Sequence, residues 1–250
     1  QTEQSLIDTE DLIRRWHGVD RLGYAITPRF APTSTEAQLR GAGELAAKYA
    51  DVWIQSHVAE NKDEIAWVRE LYPQARSYLS VYEQFGLLRP RAVYAHCIHI
   101  DDEDRALMRA TGTAAAISPT SNLFLGSGFF DYVAADRAGF LYGLASDVGG
   151  GTSFSPFHTM LAAYYVGREG QTKPGLSLQP QKLWWQHTGG AARTSSGART
   201  PVNVARDPSG SVIVPVTRFS ANEPSTTRSP SPRDAVRAER NRSRPDQRSR

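Results

Sequence analysis

The sequence has one cysteine, Cys97, in 250 residues. No internal disulfide can form, and such usage fits a reducing, cytoplasmic setting. No apolar run approaches the ~18–20 residues that a membrane-spanning helix needs. The opening residues show no charged-then-apolar leader, so no secretion signal is expected. The last sixty residues lack Leu, Tyr, Trp and Met yet hold seven of the fifteen prolines. A segment so poor in large apolar side chains cannot build a core, and residues 193–250 are expected to be a disordered, low-complexity Arg/Ser/Pro tail. Arg, Pro and Ser also dominate when GC-rich coding sequence is translated in a shifted frame, so a frameshift product is the favoured origin of that tail.

The positive charge is confined in the same way. From Ala191 onward there are twelve arginines, no lysine and five acids, whereas the rest holds 17 basic and 21 acidic side chains. The overall pI of about 9.1 therefore reflects the tail, and the body is mildly acidic. A nucleic-acid-binding arm is one reading of the tail, but nucleic acid is not the expected partner. With 40% hydrophobic and 10% aromatic residues the remainder can bury a sizeable core. Gln1 is not an initiator methionine, and SLIDTEDLIRRWHG reads as a helix already under way, so a longer parent extending upstream is expected.

From about residue 23 to 192, short apolar runs alternate with helical patterns. The runs are GYAITPRF (23–30), DVWIQSHVA (51–59), RAVYAHCIHI (91–100), TAAAISPTS (113–121) and LYGLASDVGGG (141–151). Between them lie TEAQLRGAGELAAKYA, ENKDEIAWVREL and IDDEDRALMRATG, with Thr35 and Asp101 as helix starts and Gly112 and Gly139 as stops. Repeated strand–helix units imply a parallel sheet covered by helices. An open dinucleotide-binding sheet would need G-x-G-x-x-G after a strand. Gly126-Ser127-Gly128 is followed by Phe129 and Phe130, so it reads as a turn. The five runs instead end in polar groups: Arg29, His57 with Glu60, His96, Asn122 and Asp147. That pattern favours a (β/α)8 barrel, in which catalytic residues sit at the C-terminal strand ends.

His57 and Asp147 offer nitrogen and oxygen donors suited to zinc. If their strands are neighbours in register, both project into one mouth. Glu60 stands where the strand turns into the loop and can carry a proton; His96, on the next strand, can orient or polarise the nucleophile. Each has a plainer reading: His57 as a hydrogen-bonded strand-end residue, Glu60 as a helix cap, Asp147 as a turn residue, Arg29 as a surface charge. Cys97 beside His96 invites a Cys–His nucleophile, but adjacent strand residues face opposite sides, so a structural role is expected. His17, His158 and His187 read as structural, and Trp184-Trp185 as packing of a late helix or a subunit contact.

At TPRFAPTST (27–35), QSHVAEN (55–61), YAHCIHI (94–100), SPTSNLFLGSGFF (118–130) and SDVGGGTSFS (146–155) the chain resembles the guanine deaminases of the amidohydrolase superfamily. The resemblance runs from about residue 5 to 192. It implies a zinc-activated water attacking C2 of guanine, giving xanthine and ammonia. It also implies guanine and water as partners, no membrane, and a homodimer in the complete parent. By position His57 and Asp147 resemble metal ligands, and His57, Glu60 and Asp147 also border the substrate. Glu60 is similar to the family's proton shuttle and His96 to its active-site histidine. Arg29 and Phe30 match residues that grip the purine; a guanidinium can donate two hydrogen bonds to it and a phenyl ring can stack on it. Gly149, Gly150 and Gly151 would let backbone approach closely.

One departure stands out. The family's first barrel strand carries a His-x-His pair, and the six histidines here, at 17, 57, 96, 99, 158 and 187, form none. His96 and His99, three apart on a strand, would face opposite sides. The expectation is thus about strands 4 to 8 of a barrel in residues 1–192, holding half a zinc site and inactive alone. Two rival functions remain: another amidohydrolase deaminase or a chlorohydrolase, and a non-catalytic fragment that binds nucleic acid through its tail.

Overall fold

The computed structural model describes residues 1–20, 22–169 and 178–196, with two short strands at 205–206 and 212–213. Its contacts divide the chain into residues 1–214 and residues 215–250; only the first of these units is described. The tail expected at 193–250 lies almost wholly outside the described residues.

Five strands, β1 (Ala25–Ile26), β2 (Trp53–Val58), β3 (Ala92–His96), β4 (Ala114–Ile117) and β5 (Leu141–Leu144), form one sheet in the order β1-β2-β3-β4-β5. Every pairing is parallel. Parallel strands in sequence order, each crossing over through helix, build an arc of a (β/α) barrel rather than a doubly wound sheet, whose order reverses at a switch point.

The helices form where local chemistry allows. α1 (Thr2–Trp16) opens the chain, and α2 (Glu36–Lys48) starts at Thr35, whose hydroxyl accepts from the Gln38 N–H. α3 (Lys62–Leu71) carries a capping box in which the Asn61 side chain and Glu64 satisfy each other's backbone. α4 (Tyr78–Gln84) is boxed by Ser77 and Ser80, and α5 (Asp102–Thr111) is capped by Asp101. α5, α6 (Pro119–Leu125) and α7 (Tyr132–Ala138) each stop at a left-handed glycine: Gly112, Gly126 and Gly139. α8 (Pro156–Glu169), α9 (Pro180–Trp185), a π-helical turn (Gln186–Gly190) and α10 (Ala191–Ser196) follow.

Two expectations need correction. The fourth apolar run does not stay extended to residue 121: Pro119, pre-set for a first helical position, begins α6 there. The strands are also shorter than their apolar runs, and β2 and β3 alternate between a buried and a more open face, whereas β4 and β5 are buried on both. In β2, Ile54, Ser56 and Val58 are buried, while Trp53 and His57 are half-buried and Gln55 is exposed.

The buried face packs against the helices, with Tyr94 against Tyr82 of α4 and Tyr142 against Tyr132 of α7. The other face is a row of small residues beside one histidine: His57 aligns with Ala95, Ala95 with Ala116, and Ala116 with Gly143. At Gly143 a methyl group would lie 2.8 Å from Ala191 Cα, so glycine admits α10 onto β5. Trp184 of α9 stacks on Phe157 of α8, joining the late helices to each other.

Candidate active site at the C-terminal strand ends

His57 Nδ1 lies 2.6 Å from the carbonyl oxygen of Arg29. A carbonyl only accepts, so Nδ1 carries the proton and Nε2 keeps its lone pair. A ligating histidine is held in just this way, by a hydrogen bond on its far nitrogen. Arg29 is thereby fixed through its backbone, while its guanidinium is exposed, 5.4 Å from the centre of the half-buried Phe30 ring.

His96 comes into the same space by an unusual route. Strand alternation would send it to the helix-covered face with Ala92 and Tyr94. Instead φ is +70° at His96 and +51° at Cys97, and the imidazole stacks on His57 with ring centres 5.5 Å apart. The ring is nearly inaccessible, at 2% exposure. Its Nδ1 meets Asn122 Oδ1 at 2.9 Å and its Nε2 faces Glu60 Oε2 at 3.6 Å. With Nδ1–H donated to the amide oxygen, Nε2 keeps its lone pair and faces the Glu60 carboxylate.

Glu60 is not the helix cap. Asn61 caps α3, and Glu64 Oε2 accepts from the backbone N–H of Glu60 at 3.2 Å. The Glu60 carboxylate is left to the site, where Oε1 accepts from Ser127 Oγ at 3.0 Å.

Asp147 sits three residues beyond β5, at the same end of the sheet, with φ +46°. The condition that its strand neighbour the His57 strand is not met; β3 and β4 intervene, about 14 Å along a flat sheet. Among the described residues no hydrogen bond or ion pair holds its carboxylate. The glycine run that follows folds back on its own strand end. A methyl on Gly151 would lie 1.8 Å from Ser146 O, and one on Gly150 would crowd Ser121 Oγ at 2.8 Å and Asp147 Oδ2 at 3.2 Å.

Ala59, His96, Cys97 and Asp147 all hold left-handed backbone at the C-terminal ends of β2, β3 and β5. Each costs a non-glycine residue about 1–2 kcal/mol. Strain of that kind persists where surrounding structure over-determines it, commonly at functional sites.

The sequence-named groups thus divide. His57, Glu60 and His96 meet in one cluster, with Arg29 and Phe30 anchored beside it, and Asp147 shares only their end of the sheet. Cys97 is wholly buried, its Sγ lies 3.5 Å from Tyr94 O, and burial pushes its thiol well above the usual range, so it is no nucleophile. His99 is not on a strand at all, because β3 ends at His96; its Nε2 contacts Ser127 O at 2.9 Å. His17 is structural: Nδ1 accepts from the Tyr24 N–H and Nε2 faces Asp51 at 3.0 Å.

Sequence reasoning missed Tyr82 and Ser127. The Tyr82 hydroxyl donates to His57 O at 2.8 Å and accepts from the Ala31 N–H at 3.0 Å, joining two site segments.

As a zinc site the residues fit in kind, with a bare imidazole nitrogen on His57 and an unengaged carboxylate on Asp147. They fall short in number: among the described residues no group of three or more His, Cys, Asp or Glu could hold a metal. Nor is any described helix long and apolar enough to cross a membrane.

A parallel α/β arc with an imidazole–carboxylate cluster at its C-terminal strand ends is the layout of the active-site face of a (β/α) barrel enzyme. Residues 1–178 match the amidohydrolase family, and the chain belongs to that family. It is 45% identical over 164 residues to the guanine deaminase of Escherichia coli K12, covering 66% of this chain and 37% of that protein. It is 39% identical over 186 residues to a probable guanine deaminase of Deinococcus radiodurans, covering 74% and 42%. The structure of guanine deaminase from C. acetobutylicum with guanine bound in its active site superposes with a TM-score of 0.74 at 30% identity, covering 79% of this chain and 49% of that one. The chain spans less than half the length of these relatives.

Proposed function

We propose that the complete protein carrying this chain is a zinc-dependent guanine deaminase, hydrolysing guanine to xanthine and ammonia. The observation that carries the reading is the His57–Glu60–His96 cluster, with Arg29 and Phe30 tied to it through the Arg29 carbonyl. The likeness to guanine deaminases, one of them solved with guanine bound, supports the choice of base.

His57 through Nε2 and Asp147 through its carboxylate would hold the zinc, with further ligands outside the described residues. Zinc, when bound, supplies the Lewis acidity that makes water nucleophilic near neutral pH. Glu60 accepts a proton as water adds to C2 of the purine and returns it to the departing amine, so ammonia leaves and the ring keeps the oxygen. His96, stacked on His57 and facing Glu60, orients the oxygen. Arg29 donates to the carbonyl and ring nitrogen of the base, and Phe30 offers a face for stacking.

Ammonia release from guanine, measured against adenine, cytosine and their nucleosides, tests the reading. A preference for any base other than guanine would overturn the substrate, and absence of deamination by the zinc-loaded protein would overturn the reaction.

A further inference from the structure

We infer that Asn122, in the middle of the short helix α6, and Ser127, just past the glycine that ends it, are positioning residues that clamp the Glu60–His96 pair. The inference rests on Glu60 being the proton carrier of the proposed reaction.

The geometry begins with the cap of α6. Gly126, at φ +72°, turns the chain back so that the Ser127 N–H donates to Asn122 O at 2.9 Å. The Ser127 carbonyl accepts from His99 Nε2 at 2.9 Å. Gly128 follows at φ +133°, where a methyl would press on Ile98 at 3.2 Å and His99 at 3.3 Å. The backbone at Ser127 is therefore pinned on both sides, and its hydroxyl, on a residue only 9% exposed, is aimed at Glu60 Oε1.

Asn122, buried within α6, takes the other member of the pair through His96 Nδ1. One donor fixes which carboxylate oxygen faces His96, and one acceptor fixes which imidazole nitrogen faces Glu60. A glutamate has three rotatable bonds and is costly to hold in one rotamer. The Ser127 hydrogen bond is the only one to its carboxylate among the described residues, so that bond sets where the proton is carried. The motif SNLFLGSG thereby acquires a physical reason beyond a turn.

The test uses the complete zinc-loaded protein and compares wild type with Ser127→Ala and Ser127→Thr, each also in a Glu60→Gln background. A hydrogen bond to a charged group corresponds to about 10- to 100-fold in rate, so Ser127→Ala should lower kcat by that factor. KM should stay within about twofold and zinc content should be unchanged, since no ligand is touched. Ser127→Thr, which keeps the hydroxyl, should recover most of the loss, and Ser127→Ala should add nothing once Glu60 is glutamine. An equal loss in the Glu60→Gln background, a threonine no better than alanine, or a melting shift with kcat intact would overturn the clamp.

If the wild type prefers another base, the proposed substrate fails while the same comparisons, run on that base, still decide the clamp. If no base is turned over, crystal structures decide it: in Ser127→Ala the Glu60 carboxylate should swing off His96, and finding it unmoved would overturn the inference.

Discussion

Removing a single oxygen atom, by Tyr82→Phe, should loosen the substrate side of the site while leaving every side chain proposed to contact substrate in the chain. In β2 the Trp53 N–H donates to Tyr24 O toward β1, and the Ile54 N–H donates to Arg91 O toward β3. His57, in phase with Trp53, therefore turns its carbonyl toward β1. There β1 has already ended at Ile26, and no strand receives it. The Tyr82 hydroxyl fills that gap, taking the His57 carbonyl, the Ala31 N–H and Ser56 Oγ, the last at 3.0 Å. Burial pushes its phenol well above the usual tyrosine range, so the hydroxyl keeps its proton. In the phenylalanine variant Ser56 can still reach Arg29 O, at 3.3 Å. The Ala31 N–H and His57 carbonyl lose this partner in a buried setting, at about 1–3 kcal/mol each. Allowing for relaxation, the loss should be about 2–4 kcal/mol, or roughly 5–15 °C in melting temperature for a domain of this size. Thermal unfolding followed by circular dichroism reads the stability. KM for guanine should rise more than kcat falls, because the 29–31 segment carries the proposed purine contacts. A melting temperature within about 1 °C of wild type, with KM unchanged, would refute the claim that this hydroxyl closes the gap.

Glu60→Gln should retain bound zinc and lose about 10²–10⁴-fold in turnover, whereas His57→Ala and Asp147→Ala should lose metal and activity together; metal analysis alongside ammonia release separates the two classes. Gly43→Ala should destabilise the fold by at least about 2 kcal/mol, because the new methyl would lie 1.9 Å from the backbone oxygen of Phe85; denaturant midpoints measure it. Hydrogen bonds from Lys48 and Tyr49 lower the Glu10 carboxyl to about 2, so its contribution to α1–α2 docking is present above about pH 4.5 and is lost as pH falls toward 2. Hydrogen exchange in α1 should accelerate over that window, and Glu10→Gln should remove the dependence.

Strand–helix alternation was enough to read the parallel sheet, because both periodicities are local. Caps were legible for the same reason: Thr35 and Asp101 act on groups three residues away, and Gly112 and Gly139 act on the helix they end. What the sequence hid depends on backbone that leaves the regular pattern. Counting by twos along β3 places His96 on the face of Tyr94, away from His57, and the positive φ values at His96 and Cys97 reverse that placement. No residue type announces the reversal, since neither position is a glycine or an asparagine. Tyr82 was invisible for another reason: its three hydroxyl partners lie 25 to 51 residues away, so only the folded sheet shows the gap it fills. Ser127 stood in plain view inside Gly126-Ser127-Gly128, read as a turn, and the turn is real. Its glycines are what put the hydroxyl over Glu60, 67 residues earlier in the chain. The residues that do the proposed chemistry could be named from their types and strand-end positions. Those that hold them in place carry no such mark, because their role is written in backbone turns that only tertiary contacts select.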